Sequence, residues 1–209
     1  MISAQEALDR LRQGNARFER GELERLPIVD SQSRDKLIAG QSPFAVVLGC
    51  SDSRVPTEVV FDQGLGDLFV IRVAGNVVTP SQIASVEFAV AHFQVPLVVV
   101  MGHTRCGAIS ATIEQLRLPP SERSATMRPI VDRIRPAVEA LLDSDLKDKP
   151  QELAQSAVTA NIRLATDHLR HGSKAIEELV RLDKLMIAGA QYSIETGMVD
   201  FFDVPGAHP

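Results

Sequence analysis

Tryptophan is absent from the 209 residues, and tyrosine occurs once. Base-stacking platforms for nucleic acid are built from such rings. The formal charge of −5 also leaves no basic footprint for phosphates, so no nucleic-acid partner is expected. No apolar run approaches the ~20 residues of a membrane-spanning helix, and no membrane role is expected either. The opening MISAQEALDRLRQGN is polar and amphipathic, without the apolar core of a secretion signal. Cysteine is scarce too: Cys50 and Cys106 are the only two. Two cysteines make no disulfide framework, so the expected location is a reducing compartment, the cytoplasm.

What is present is enough apolar material, 44% of the residues, for the full core of one domain. Ala7, Leu8, Leu11 and Phe18 recur at roughly helical spacing before RGELERLPIVDS breaks the pattern. This predicts an N-terminal helix and extended arm over residues 1–35. Leu23, Leu26, Ile28 and Val29 of the arm need another surface, for which a partner subunit is the candidate. Three almost continuously apolar runs follow, Phe44–Leu48, Leu68–Val73 and Leu97–Met101. Their composition suits strands of a parallel sheet buried on both faces. Between the last two, TPSQIASVEFAVAHF predicts a helix capped by Thr79, with Pro80 in its first turn and a stripe of Ile83, Val86, Val90 and Phe93.

Residues 116–129, with three prolines, read as a loop. Helical patterns cover about Ile130–Leu142, Gln151–His171 and Ser173–Leu182, and LMIAGAQYSI, a turn at ETG and MVDFF close the chain. The expected fold is α/β: one domain over 1–209, with a central, mainly parallel sheet flanked by helices and an N-terminal helical arm.

Cys50 and the pair His103/Cys106 each lie just past the end of an apolar run, in FAVVLGCSDSR and LVVVMGHTRCGA. Ligands of open parallel sheets bind outside the carboxyl ends of the strands. If the two strands are neighbours, Cys50, His103 and Cys106 converge there. Two sulfurs, one imidazole and an open position describe a catalytic zinc site. Taken alone, a buried cysteine is more often a small hydrophobe. A Cys50–Cys106 disulfide is geometrically open but out of place in a reducing compartment. The CSDSR stretch favours the metal, since it sets Asp52 and Arg54 beside Cys50. Arginine fixes a carboxylate by paired, charge-assisted hydrogen bonds, although an isolated DxR would read as a turn-stabilising pair. His92, His168 and His171 read as surface residues, and His208 as part of a tail.

CSDSRV at Cys50–Val55 followed by GHTRCGA at Gly102–Ala108 resembles the β-class carbonic anhydrases. The likeness extends through GQSPFAVVLGC, FDQGLGDLFVIRVAGNVV and SVEFAV, and to ALDRLRQGNARF and LMIAGAQYSIETGMVDFFD near the ends. It implies reversible hydration of carbon dioxide to bicarbonate and a proton, with one zinc per chain held by Cys50, His103 and Cys106. Asp52 and Arg54 would form the catalytic dyad, with Asp52 becoming a fourth zinc ligand only in a closed form. Gln41, Phe69 and Gly107 would contact substrate, and the chain would form a homodimer or tetramer. Two thiolates neutralise the zinc formally, so it should acidify water less than a three-histidine zinc, for which the water pKa is ~7.

Some positions depart from the family pattern. Phe88 stands where many relatives carry tyrosine, and Ala74 replaces a larger aliphatic residue. Arg72 matches an arginine of a bicarbonate-regulated subgroup, but Val47 stands where that subgroup carries tryptophan. Two other readings are hydrolysis of carbon disulfide on the same fold, and a non-catalytic zinc-stabilised binding protein. The dyad speaks against the latter, because a structural zinc needs no activator.

Overall fold

The structure, a computed structural model, describes residues 2–24, 35 and 37–204. Helix α1 (Ala4–Arg20) opens with a capping box, Ser3 and Glu6 each accepting the other's backbone N–H, and ends on a left-handed Gly21. Then come β1 (Ala45–Gly49), a short α2 (Thr57–Val60), β2 (Leu68–Arg72), α3 (Pro80–Phe93), β3 (Leu97–His103) and α4 (Gly107–Arg117). Helices α5 (Arg128–Leu142), α6 (Pro150–His171) and α7 (Lys174–Arg181) lead to β4 (Met186–Tyr192) and β5 (Val199–Phe202).

The strands lie in the order β2-β1-β3-β4-β5. All pairings are parallel except β4 with β5, which makes the sheet mainly parallel as expected. Every residue of β1 and β3 is buried. Strand side chains alternate between faces, and the two cores follow that period. Val46, Leu48, Val98 and Val100 pack with Val86, Ile109, Ile134 and Ile162 of α3 to α6. Val47, Val99 and Met101 pack with Leu8 and Leu11 of α1.

Buried Asn15 of α1 ties that helix to the sheet, donating to the Val60 and Gly197 carbonyls and accepting from the Val199 N–H. Of the expected arm, Leu26, Ile28 and Val29 lie outside the described residues. Its first residues are anchored by the Glu24 N–H on the Asp62 carboxylate, and Leu23 is exposed.

Several expectations shift in detail. Thr79 precedes α3 and Pro80 lies in its first turn, but Thr79 makes no cap hydrogen bond; its hydroxyl donates to the Gln82 side chain instead. In the α3 stripe Val86 and Val90 are buried, while Ile83 and Phe93 are half-buried. The 116–129 loop is shorter than expected. Helix α4 runs on to Arg117, a turn forms at Pro120–Glu122, and α5 starts at Arg128. Pro129 falls in the first turn of α5, where a missing N–H costs nothing. His92, His168 and His171 are exposed, as expected, and His208 lies outside the described residues.

Candidate active site

Strands β1 and β3 are adjacent and parallel, with Gly49 opposite Met101. Cys50 and His103 therefore leave the sheet at the same end. Cys106 follows at the cap position of α4. The three donor atoms lie within 4.8 Å of one another, and all three residues are buried.

The imidazole is set up as a ligand. His103 Nδ1 donates to the Thr104 carbonyl at 2.9 Å, which fixes the tautomer and leaves a lone pair on Nε2. That Nε2 is buried and has no hydrogen-bond partner in the protein. Leaving a buried polar atom unpaired is costly, and a metal among the three donors removes the cost. Cysteine thiolates and imidazole are zinc's own donor set, so these residues fit the group.

The two thiols are not equivalent. Cys50 is drawn below the ordinary thiol range, first by the hydrogen bond from Cys106 and also by the backbone N–H groups of Asp52 and Gly75. Cys106 is pushed up by donating to Cys50, by burial and by the neighbouring charge.

Beside the cluster, Asp52 accepts from the backbone N–H, Nε and a terminal nitrogen of Arg54, at 3.0, 2.9 and 2.7 Å. The Arg54 side chain, chiefly through these bonds, holds the Asp52 carboxyl well below the usual carboxylate range. The same guanidinium donates to the Arg105 carbonyl at 3.2 Å, tying the two ligand-bearing loops together. An Asp52 oxygen stands 3.9 Å from His103 Nε2. Arg72, at the end of β2, donates to the Cys50 and Asp52 carbonyls at 2.9 and 2.5 Å and clamps the backbone of this loop.

The family model for carbonic anhydrase matches residues 45–199, which is most of the chain. The chain belongs to this family. Carbonic anhydrase 2 of Mycobacterium tuberculosis is 39% identical over 193 residues, covering 90% of this chain and 87% of the relative. The carbonic anhydrase of Mycolicibacterium smegmatis is 37% identical, covering 91% and 89%. Among solved structures, the β-carbonic anhydrase CcaA superposes with a TM-score of 0.74 at 26% identity, covering 94% of this chain and 95% of that one. This carbonic anhydrase is thus of the β class.

Not every residue singled out by the sequence reaches the cluster. Gly107 does lie beside it, directly after Cys106, and a Cβ added there meets nothing within 4 Å. The backbone is open to approach at that point. Gln41 precedes β1, and Cys50 follows it, with five strand residues between them. At ~3.3 Å per residue that is roughly 16 Å of strand. Phe69, opposite Val46 near the start of β2, packs on the Phe88 and Phe93 rings at 6.2 and 6.1 Å. Within one chain, Gln41 and Phe69 therefore belong to the other end of the sheet.

The structure also adds residues that sequence reasoning missed. The Glu195 carboxylate accepts from the Thr104 hydroxyl at 2.5 Å and Arg105 Nε at 2.6 Å, steadying the loop between two ligands. The Thr104 hydroxyl is the first cause of the lowering of its carboxyl to about 2. Asn161 donates to the Gly75 carbonyl at 2.8 Å, and the Gly75 N–H donates to Cys50 Sγ at 3.3 Å. One signal was available: Asn161 interrupts an apolar stripe of α6 that includes Leu153, Ala157 and Ala165.

Proposed function

We propose that this carbonic anhydrase interconverts carbon dioxide and bicarbonate with one zinc per chain held by Cys50, His103 and Cys106. The observation that carries the reading is three buried donors within 4.8 Å beside a carboxylate already claimed by an arginine. Zinc in such a site supplies an acidified water as nucleophile and polarises substrate oxygen.

The protein's own groups do the rest. Asp52, kept ionised by Arg54, accepts a hydrogen bond from the attacking oxygen species and fixes its direction. Arg54 prevents the carboxylate from turning to the metal, and its release would give the closed form. At the start of α4 the backbone at Gly107 is open to approach and would line the substrate pocket, while the Ala108 and Ile109 N–H groups donate to the Cys106 sulfur. Gln41 and Phe69 serve such a site only from a second copy of the chain, so a homodimer or tetramer is part of the proposal. Partly exposed Phe88 beside Phe69 and the sheet-edge position of β2 support it. Both cysteines are free thiols, which suits a reducing cytoplasm. Among the described residues no helix is long and apolar enough to cross a membrane.

The deciding experiment is stopped-flow hydration of carbon dioxide by zinc-loaded protein, with zinc counted per chain and mass measured in solution. Rapid turnover at one zinc per chain is expected. Full zinc occupancy without hydration would leave a binding protein, and a monomeric mass at micromolar concentration would remove the shared-site role of Gln41 and Phe69.

A further inference from the structure

We infer that Asn161 is a positioning residue for the metal thiolate, acting through the Gly75 peptide. The inference rests on the reading of Cys50 as a metal ligand.

Gly75 lies in the turn Ala74–Asn76, directly after β2, with φ 68° and ψ 19°. In this left-handed conformation its N–H points at Cys50 Sγ, 3.3 Å away, while its carbonyl is taken by Asn161 Nδ2 at 2.8 Å. The two groups belong to the two peptide units that meet at the Gly75 Cα. Asn161 therefore fixes the second unit directly and the first, whose N–H meets the sulfur, through the φ and ψ of the crowded turn. The turn has little room to settle otherwise. A Cβ at Gly75 would stand 2.8 Å from Ile134 Cδ1 and 3.1 Å from the Ala108 Cβ, which keeps the position for glycine.

Asn161 itself is 2% exposed, inside an otherwise apolar stripe. Burying an amide there costs free energy unless it is hydrogen-bonded, and packing alone would be served by leucine or alanine. Its next neighbour, Ile162, fills the space against Gly102, the residue before His103. One turn of α6 thus touches the supports of two ligands. A hydrogen bond to a metal thiolate draws charge from the sulfur and tunes how strongly it donates to the metal. Removing Asn161 frees the Gly75 peptide, weakens that bond and leaves a more basic sulfur on the metal.

The test uses metal-loaded protein and needs no carbon dioxide, so it stands apart from the assay of function. In protein loaded with cadmium-113, the Gly75 amide proton should show scalar coupling to the metal through the sulfur. Cobalt-loaded Asn161→Ala and Asn161→Asp should show a displaced sulfur-to-cobalt charge-transfer band. Zinc affinity, measured by chelator competition at pH 7, should weaken about tenfold because the more basic sulfur holds its proton against the metal, and the rise of activity with pH should move to higher pH. Thr166→Val, which removes a buried hydroxyl bonded to the Ile162 carbonyl on the same helix, is the control for general destabilisation. It should leave band and affinity unchanged.

A folded Asn161 variant with the wild-type band and affinity would overturn the inference. So would a wild-type cadmium protein without coupling at Gly75, a result that does not depend on any variant folding. Failure to bind metal at all would overturn the functional reading first.

Discussion

Residues 40–111 and residues 116–184 serve the same centre in opposite ways. The first stretch supplies the three clustered donors Cys50, His103 and Cys106 and the Asp52–Arg54 pair, at and just past the ends of β1 and β3. The second supplies no donor to that cluster. Its helices put Ile134, Asn161 and Ile162 against the turn and strand end on which those donors depend. Bonding to a metal fixes residue identity and spacing, so the first stretch reads as a motif. Packing asks only for volume and apolar character, so the second reads as a pattern. The difference teaches that a motif can name a site while leaving out half of what holds it.

The sharpest way to break this comparison is to remove donors. Replacing Cys50, His103 or Cys106 with Ala should abolish zinc binding and bring hydration to background, checked by metal content per chain and stopped-flow rate. A His103→Ala protein that kept its full zinc would take the ligand assignment away from the first stretch.

Next in size is the dyad. Arg54→Ala should keep zinc and lose roughly 10- to 100-fold in rate, since the freed carboxylate can turn to the metal. The sign of the pH effect follows from the depressed Asp52 carboxyl. The ion pair is present above the ordinary carboxylate range and is lost only as pH falls through the lowered folded value. Between about pH 6.5 and 8.5 Asp52 stays ionised, so the expected rise of wild-type activity across that range belongs to the metal centre. Asp52→Asn should also keep zinc, yet a neutral amide is a poor ligand and does not close the site. Rates of all three proteins across this range at fixed ionic strength decide the matter. An Arg54→Ala enzyme with unimpaired rate would reduce the dyad to a structural ion pair.

The same contrast explains what could be read in advance. The apolar runs at β1 and β3 were legible because burial on both faces leaves no polar position to confuse them. Strand β2, also expected to be buried on both faces, lies instead at the sheet edge with half-buried residues and an exposed Arg72. That Cys50, His103 and Cys106 converge and that Asp52 pairs with Arg54 was legible because spacing of this kind is set by chemistry. Gln41 and Phe69 were legible as family positions, but one chain's strand direction sets them at the far end of the sheet from Cys50. A one-dimensional motif carries no such direction. Thr79 stood at the right place and spent its hydroxyl on Gln82, because side-chain partners compete with a cap. Asn161 shows in the sequence only as a polar break in an apolar stripe, because its partner, the Gly75 carbonyl, lies on a turn far away along the chain.

The smallest expected effect on activity, and the finest probe of how the two stretches touch, comes from Gly102→Ala. Gly102 lies in β3, just past the end of its pairing with β1 and opposite Gln191 of β4, and a methyl group changes nothing in that ladder. The obstacle is space: its Cβ would stand 2.6 and 2.7 Å from Cγ1 and Cδ1 of Ile162. Ile162 is fully buried and β-branched, with few rotamers to retreat into. Overpacking of this kind costs about 1–3 kcal/mol, and Ile162→Ala alone costs about 2–5 kcal/mol through the cavity it leaves. Together the added methyl occupies part of that cavity, so the double variant should be less destabilised than the sum of the two. Denaturant melts of all four zinc-loaded proteins give the coupling directly. Strictly additive losses would mean that α6 does not bear on β3 at this point, and the second stretch would then reach the cluster only at the Gly75 turn, through Ile134 and Asn161.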